Sequence, residues 1–243
     1  MKPLGFRCLL LLGCLASTVC IQAASFDDGL DAYKSGDYEE AREHFRAALK
    51  NKETAALRHN LGLTELRLDN PGAAIRHIER AIFLKPFDTK SVRTLEKLRE
   101  EHGLPESPLR MHQRLARALS FNTWAALLNI AVLTALAAWA LPAAAGYRTG
   151  GILKTARALS LLVLLIAIAG LRLNQRLQQS GTITANESVT LHVAPAQGAP
   201  EAGTARPGER ARQTDQHGTF RRIKTETGAT GWILKKRFQR ITE

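Results

Sequence analysis

Two stretches of equal length decide the fold of the first half of the chain: residues 29–48, GLDAYKSGDYEEAREHFRAA, and residues 62–81, GLTELRLDNPGAAIRHIERA. Three small residues return 33 positions later, with Gly29, Ala41 and Ala48 matched by Gly62, Ala74 and Ala81. Apolar residues recur at three- and four-residue spacing, and turn-forming residues interrupt them, which predicts two successive helical hairpins. The small positions let paired helices approach closely, while Phe45 and Ile78 fill the space between them.

This repeated unit resembles the tetratricopeptide repeat (TPR), a helix–turn–helix unit. We expect a TPR array over residues 25–102, with repeats at about 22–54 and 55–88 and a capping helix after them that carries Val92, Leu95 and Leu98 on one face. The alternative is an unrelated helical hairpin. A TPR array binds a peptide or helix in the concave face of its first helices, and the register places five residues there: Tyr33, Lys34, His59, Leu63 and Arg67.

Two apolar runs come after a basic linker at residues 103–120. Residues 121–141 contain no charged side chain and span about 31 Å as a helix, which is enough to cross a bilayer. Trp124 and Trp139 lie near the ends of this run, as interfacial aromatics do. Residues 158–173 form the second predicted span, which needs flanking residues and snorkelling cations to reach full length. We therefore predict a transmembrane hairpin with a cytoplasmic loop at residues 142–157; the alternative is a buried soluble hairpin.

The first 24 residues have the pattern of a secretory signal peptide. Lys2 and Arg7 precede an apolar run and a small-residue exit. An uncleaved anchor and a lipoprotein anchor are the alternatives, and each of them exports the helical repeats. All three cysteines, Cys8, Cys14 and Cys20, fall in this segment, so the rest of the chain has no thiol for a disulfide or a metal site. The predicted location is the bacterial inner membrane, with both terminal domains on the periplasmic side.

The formal net charge of +12 does not indicate a nucleic-acid partner. Most of the excess lies in residues 106–180, beside the apolar runs, where Lys and Arg meet lipid headgroups and fix orientation. A nucleic-acid-binding protein places a basic face on a folded domain instead. Membrane lipid is thus the partner that the charge pattern predicts.

Residues 181–243 change to short alternating segments that are typical of strands. Their order, with Gly231-Trp232-Ile233 as the most specific part, resembles a bacterial SH3-like (SH3b) domain. The likeness implies a small all-β barrel with a possible ligand surface formed by four residues: Arg221, Arg222, Trp232 and Lys235. Ala194-Pro195-Ala196 departs from the family pattern after the first strand.

No catalytic pattern stands out in the chain. The seven histidines show no metal-ligand spacing, and neither a phosphate-binding glycine loop nor a GxSxG motif is present. We expect no catalytic residue, no metal and no cofactor, and a binding protein rather than an enzyme. The enzymatic alternative would require a pocket with clustered, perturbed carboxylates.

The predicted fold class is therefore a multidomain membrane protein: an α-helical TPR array, a two-helix transmembrane hairpin and a small all-β SH3-like barrel. This order resembles the TPR/SH3 membrane proteins of bacterial Bat (Bacteroides aerotolerance) gene clusters. The resemblance implies a periplasmic scaffold that works with other membrane proteins, such as von Willebrand-type proteins and an associated ATPase. The alternative function is peptidoglycan binding through the SH3-like domain.

Overall fold

The computed structural model describes residues 25–105, 119, 121–144 and 151–241. The chain divides into two compact units, one formed by residues up to 108 together with residues from 180 onward, the other by residues 109–179. The predicted signal peptide, most of the basic linker and the middle of the predicted cytoplasmic loop lie outside the described residues. The first unit thus combines the two ends of the sequence.

Five helices form the first half of the first unit. They are α1 (residues 25–35), α2 (Tyr38–Asn51), α3 (Ala55–Arg67), α4 (Pro71–Leu84) and α5 (Thr89–Glu101). Local sequence fixes where they begin: the side chains of Asp37 and Thr54 cap α2 and α3, and Pro71 occupies the first turn of α4. These helices run through residues 25–101, the stretch for which the sequence predicts two helical hairpins and a following helix.

The repeated small residues allow close packing within each helical hairpin. A Cβ atom added to Gly29 would lie 2.7 Å from the ring of Phe45, and one added to Gly62 would lie 2.8 Å from Ile78. Phe45 and Ile78 are fully buried. The packing role predicted for these four residues is confirmed.

Seven strands form one antiparallel sheet in the same unit. They are β1 (Ser180–Ile183), β2 (Val189–His192), β3 (Glu201–Ala205), β4 (Arg210–His217), β5 (Phe220–Thr225), β6 (Thr230–Leu234) and β7 (Phe238–Arg240), in the order β3-β2-β6-β5-β4-β1-β7. Alternate residues of the strands build the core, which includes Ile183, Leu191, Ile223, Ile233 and Phe238. The fold class is therefore helical plus all-antiparallel β; the TPR array and the SH3-like barrel stay predictions.

The helices and the sheet pack directly on each other, mainly through α4 and β1. A Cβ atom on Gly72 would meet the backbone oxygen of Ala185 at 2.7 Å, so only glycine allows α4 to approach the sheet this closely. Asn186 donates a side-chain hydrogen bond of 2.6 Å to Asn70, and Arg80 donates one of 3.0 Å to the carbonyl oxygen of Ile241.

Buried charges complete this interface. Glu79, on α4, accepts hydrogen bonds from Arg210 of β4 and from Thr182 of β1. Arg99, on α5, donates to Glu226 at 2.5 Å and to the carbonyl oxygen of Pro105 at 2.9 Å. Because each charge meets an opposite charge or a backbone oxygen, the network can stay buried.

The second unit contains two long apolar helices, α6 (Phe121–Ala144) and α7 (Gly151–Gln178). Stretches of 20 and 24 residues, Phe121–Ala140 and Lys154–Leu177, are long and apolar enough to cross a membrane. Only 11% and 17% of their most apolar windows are buried, whereas a core helix of a soluble protein would be mostly buried.

Helix α7 begins earlier than the predicted second span, so it includes the last residues of the predicted loop. Arg157 lies in this added part of α7, and its contacts with α6 show how the helix accommodates a charged side chain. Its Nε atom donates to the carbonyl oxygen of Ala138 at 3.2 Å, and its guanidinium lies 4.9 Å from the ring centre of Trp139. A cation satisfied in this way by α6 is compatible with a continuous apolar hairpin.

Candidate functional site

Two tyrosines and an arginine form a surface patch at the junction of α1, α2 and α3. The rings of Tyr33 and Tyr38 meet edge to face with their centres 5.3 Å apart, and the guanidinium of Arg67 lies 6.0 Å from the centre of Tyr38. A hydrogen bond with Tyr33 raises the pKa of Arg67. We call these three residues the Tyr–Arg patch. Its aromatic faces and exposed cation suit a partner with apolar and acidic side chains.

Two other residues predicted for the concave face of the helical array lie around this patch. Lys34 is exposed and forms an ion pair of 2.8 Å with Asp31, one turn earlier in α1. Leu63 is half-buried on α3, one turn before Arg67. Tyr38 was absent from the predicted set, although its position just after the α1–α2 turn places it beside Tyr33.

His59 is predicted to lie on the concave face, but in the structure it is buried. It is 4% exposed, and its Nδ1 atom is 2.9 Å from the hydroxyl oxygen of Ser91 in α5. The prediction failed because α5 covers this part of α3. The sequence predicts a capping helix here, but it does not indicate which side chain of α3 that helix covers.

The hydrogen bonds of His59 have a direction that does not suit nucleophilic catalysis. Ser91 donates its hydroxyl hydrogen to Asp88 at 2.5 Å, so His59 Nδ1 carries a proton and donates to Ser91. A catalytic base would instead accept the serine proton. Asp88 also caps α5 by accepting from the backbone N–H of Ser91, which gives this trio a structural role.

A row of side chains crosses the outer face of the sheet. Trp232 on β6 is directly opposite Arg222 on β5 and directly opposite His192 on β2. Arg222 is exposed, and Trp232 and His192 are half-buried, whereas the neighbours Gly231 and Ile233 are buried. Trp232 is therefore on the face opposite the sheet core, with a cation and an imidazole beside it.

Arg221 is not part of a ligand surface, which corrects the prediction for it. The side chain is 1% exposed; its guanidinium donates to the carbonyl oxygen of Phe238 at 3.3 Å and lies 5.8 Å from the centre of that ring. Successive residues of a strand point to opposite faces, so Arg221 and Arg222 cannot share one surface.

Lys235 lies in a different place, on the rim of a groove with a volume of about 840 Å³. Six of the eight residues that line it are polar: Arg76, Gln197, Thr219, Lys235, Lys236 and Gln239. Arg76 comes from α4 and the others from the β-sheet region. Sequence patterns could not predict this groove because its two walls are far apart in the chain. We call it the composite groove.

Among the residues that the structure describes, no group of three or more His, Cys, Asp or Glu side chains is arranged to hold a metal ion. Comparisons with protein-family models and with curated proteins find no match for this chain. The resemblances to TPR, SH3-like and Bat-cluster proteins consequently stay predictions. The first unit therefore offers three surfaces, namely the Tyr–Arg patch, the row across the sheet and the composite groove.

Proposed function

We propose that this protein is a membrane-anchored scaffold that binds a partner protein through the Tyr–Arg patch and the adjoining surface of α1 and α3. The observation that carries the proposal is a single compact unit assembled from both flanks of a hairpin of two apolar helices. Such an arrangement presents a folded binding surface while the hairpin anchors it. In this proposal the anchor is the bacterial inner membrane and the folded unit is periplasmic.

The chemistry of the patch indicates the kind of partner segment. Tyr33 and Tyr38 offer flat apolar area with little conformational freedom to lose, and Lys34 and Arg67 offer cations at its edge. A partner helix or peptide with apolar side chains and a flanking carboxylate fits this combination. The resemblance to Bat-cluster proteins suggests a von Willebrand-type membrane protein as the first candidate.

Charge reversal tests the proposal. The double variant Lys34→Glu/Arg67→Glu is expected to weaken co-purification with a co-expressed von Willebrand-type protein by about tenfold or more, because it replaces attraction with repulsion. Full-length protein is purified from membranes in detergent, and thermal unfolding verifies that the variant is folded.

The matched control is Lys50→Glu/Lys52→Glu, which changes the net charge equally at exposed positions near the end of α2. This control is expected to retain the partner. Equal recovery of the partner with both double variants would contradict binding at the Tyr–Arg patch.

A second candidate function is peptidoglycan binding, and the row formed by exposed Arg222 and half-buried Trp232 and His192 favours it. An aromatic face flanked by a cation can hold a sugar ring or a peptide carboxylate. In a pull-down of full-length protein on purified cell wall, Trp232→Ala is expected to lose binding. The control Arg212→Gln changes an exposed cation on β4 and is expected to keep it. Absence of cell-wall binding by the unmodified chain would exclude this candidate.

A further inference from the structure

The composite groove has fixed walls. Its sheet side includes the 3₁₀ turn Lys235–Arg237, and the backbone N–H of Lys235 donates to the carbonyl oxygen of Thr219 at 2.8 Å. Leu234, directly opposite the buried Phe220, forms part of the floor. On the helical side, Arg76 of α4 is only 8% exposed, so most of its side chain is buried in the surrounding structure. A groove with these anchored walls is formed before any ligand arrives.

The lining of the groove is cationic. Lys235 and Lys236 contribute two exposed positive charges, Arg76 lies largely buried beside them, and none of the described residues that line the groove is acidic. Charges of one sign in a concave surface reinforce each other and raise the local concentration of oppositely charged ligands. The groove therefore favours ligands that carry negative charge.

We propose that the composite groove binds a carboxylate-bearing peptide segment. Its volume of about 840 Å³ is near the upper end of the range for ligand pockets and exceeds what a single small anion fills. Gln197 and Gln239 each carry an amide that both donates and accepts hydrogen bonds, which matches the peptide groups between the acidic side chains. Lys235 and Lys236 then pair with the carboxylates.

This inference is independent of the function proposed for the Tyr–Arg patch. The two surfaces share no residue, so we expect charge reversal at one to leave binding at the other unchanged. A scaffold with both surfaces would hold two segments at once, either from one partner or from two.

Calorimetric titration of full-length protein in detergent tests the inference. The probes are a short glutamate-rich peptide, the same peptide with glutamine at each glutamate, and inorganic phosphate. We expect saturable binding of the glutamate peptide alone, weakened several-fold when the salt concentration rises from about 50 mM to about 500 mM. Lys235→Glu/Lys236→Glu is expected to weaken it by about tenfold or more.

The lysine pair is exposed on a short turn, so this variant is expected to fold, and thermal unfolding checks it. Lys50→Glu/Lys52→Glu is the control with the same change in charge, and Lys34→Glu/Arg67→Glu reports on the other surface; both are expected to bind the peptide normally. The inference would be overturned if the glutamine peptide bound as well as the glutamate peptide, or if phosphate bound and the glutamate peptide did not. Full binding of the glutamate peptide by Lys235→Glu/Lys236→Glu would also overturn it.

Discussion

His59 is held neutral by its surroundings. Burial lowers its pKa, and the charge of Lys90 lowers it further, although Asp88 opposes the shift. Its Nε2 atom is buried and has no hydrogen-bond partner among the described residues. A proton added at Nε2 would therefore place a charged N–H where nothing accepts it, which costs free energy.

His77 is neutral for a related reason. Burial holds its pKa well below the usual range, and three neighbouring cations act in the same direction: Arg76, Arg58 and Arg46. Arg58 lies 3.0 Å from Nδ1 of His77 and has only hydrogens to donate, so Nδ1 must accept. Protonation of His77 would break this hydrogen bond and put two positive charges together.

Because both histidines are held neutral in the fold, we predict that acid destabilises the first unit. Their pKa values are lower in the folded than in the unfolded chain. Below about pH 6.5 the unfolded chain therefore binds more protons, and the free energy of unfolding decreases as the pH is lowered. The variant His59→Gln/His77→Gln is expected to flatten the decrease of melting temperature between about pH 7 and about pH 5. Thermal unfolding of full-length protein in detergent measures this slope.

The pH range distinguishes the contribution of the histidines to stability from that of the carboxylates. Hydrogen bonds from Arg80 and Ser91 lower the pKa values of Glu53 and Asp88, respectively, so their contribution to stability is lost only at more acidic pH. His217→Gln, at an exposed position, is the control and is expected to keep the original slope. If the double variant keeps that slope too, the two buried histidines are not its source.

Among secondary-structure elements, α4 connects the helical hairpins to the sheet. Its apolar face packs into the hairpin through Ile78, while Glu79 points to the sheet and accepts from Arg210. Arg99 of α5 lies 3.9 Å from the same carboxylate. Removal of Glu79 would take a buried carboxylate acceptor away from Arg210 and Thr182, and breaking a buried ion pair costs about 3–5 kcal/mol.

We therefore predict that Glu79→Ala destabilises helices and sheet together. Hydrogen–deuterium exchange of full-length protein is expected to increase in peptides from both α4 and β4. The control Glu101→Ala removes an exposed pair with Lys97 and is expected to change stability by less than about 1 kcal/mol. Faster exchange in α4 with no change in β4 would mean that the two parts unfold separately.

The elements differed in how far sequence could predict them. Helical periodicity and the repeated small residues gave the hairpins because these signals are local. Residues 201–205 and 210–217, which form β3 and β4, are largely solvent-facing and lack the apolar alternation of a half-buried strand, so periodicity alone does not mark them. Burial of Arg221 and His59, and the composite groove, depend on packing between distant segments, which local patterns do not encode.

For the whole molecule, the packing of the first unit constrains membrane topology. Thr182 donates to Glu79, and Arg206 donates to the carbonyl oxygen of Gly103 at 3.1 Å, so residues from both sides of the apolar hairpin contact each other. These contacts require both flanks in one compartment. If α6 and α7 each cross the membrane, the chain returns to the side from which it started.

This predicts one shared labelling pattern for the two flanks. Single cysteines are introduced as Lys97→Cys and Gln216→Cys, both exposed, after Cys8, Cys14 and Cys20 are changed to alanine. For a periplasmic unit, a membrane-impermeant maleimide is expected to label both in intact spheroplasts and to label Thr149→Cys, between α6 and α7, only after permeabilisation. Labelling of both flanks only after permeabilisation would reverse the orientation but keep the docked unit. Labelling of one flank alone would contradict the docking, because the hydrogen bond from Thr182 to Glu79 cannot form across a membrane.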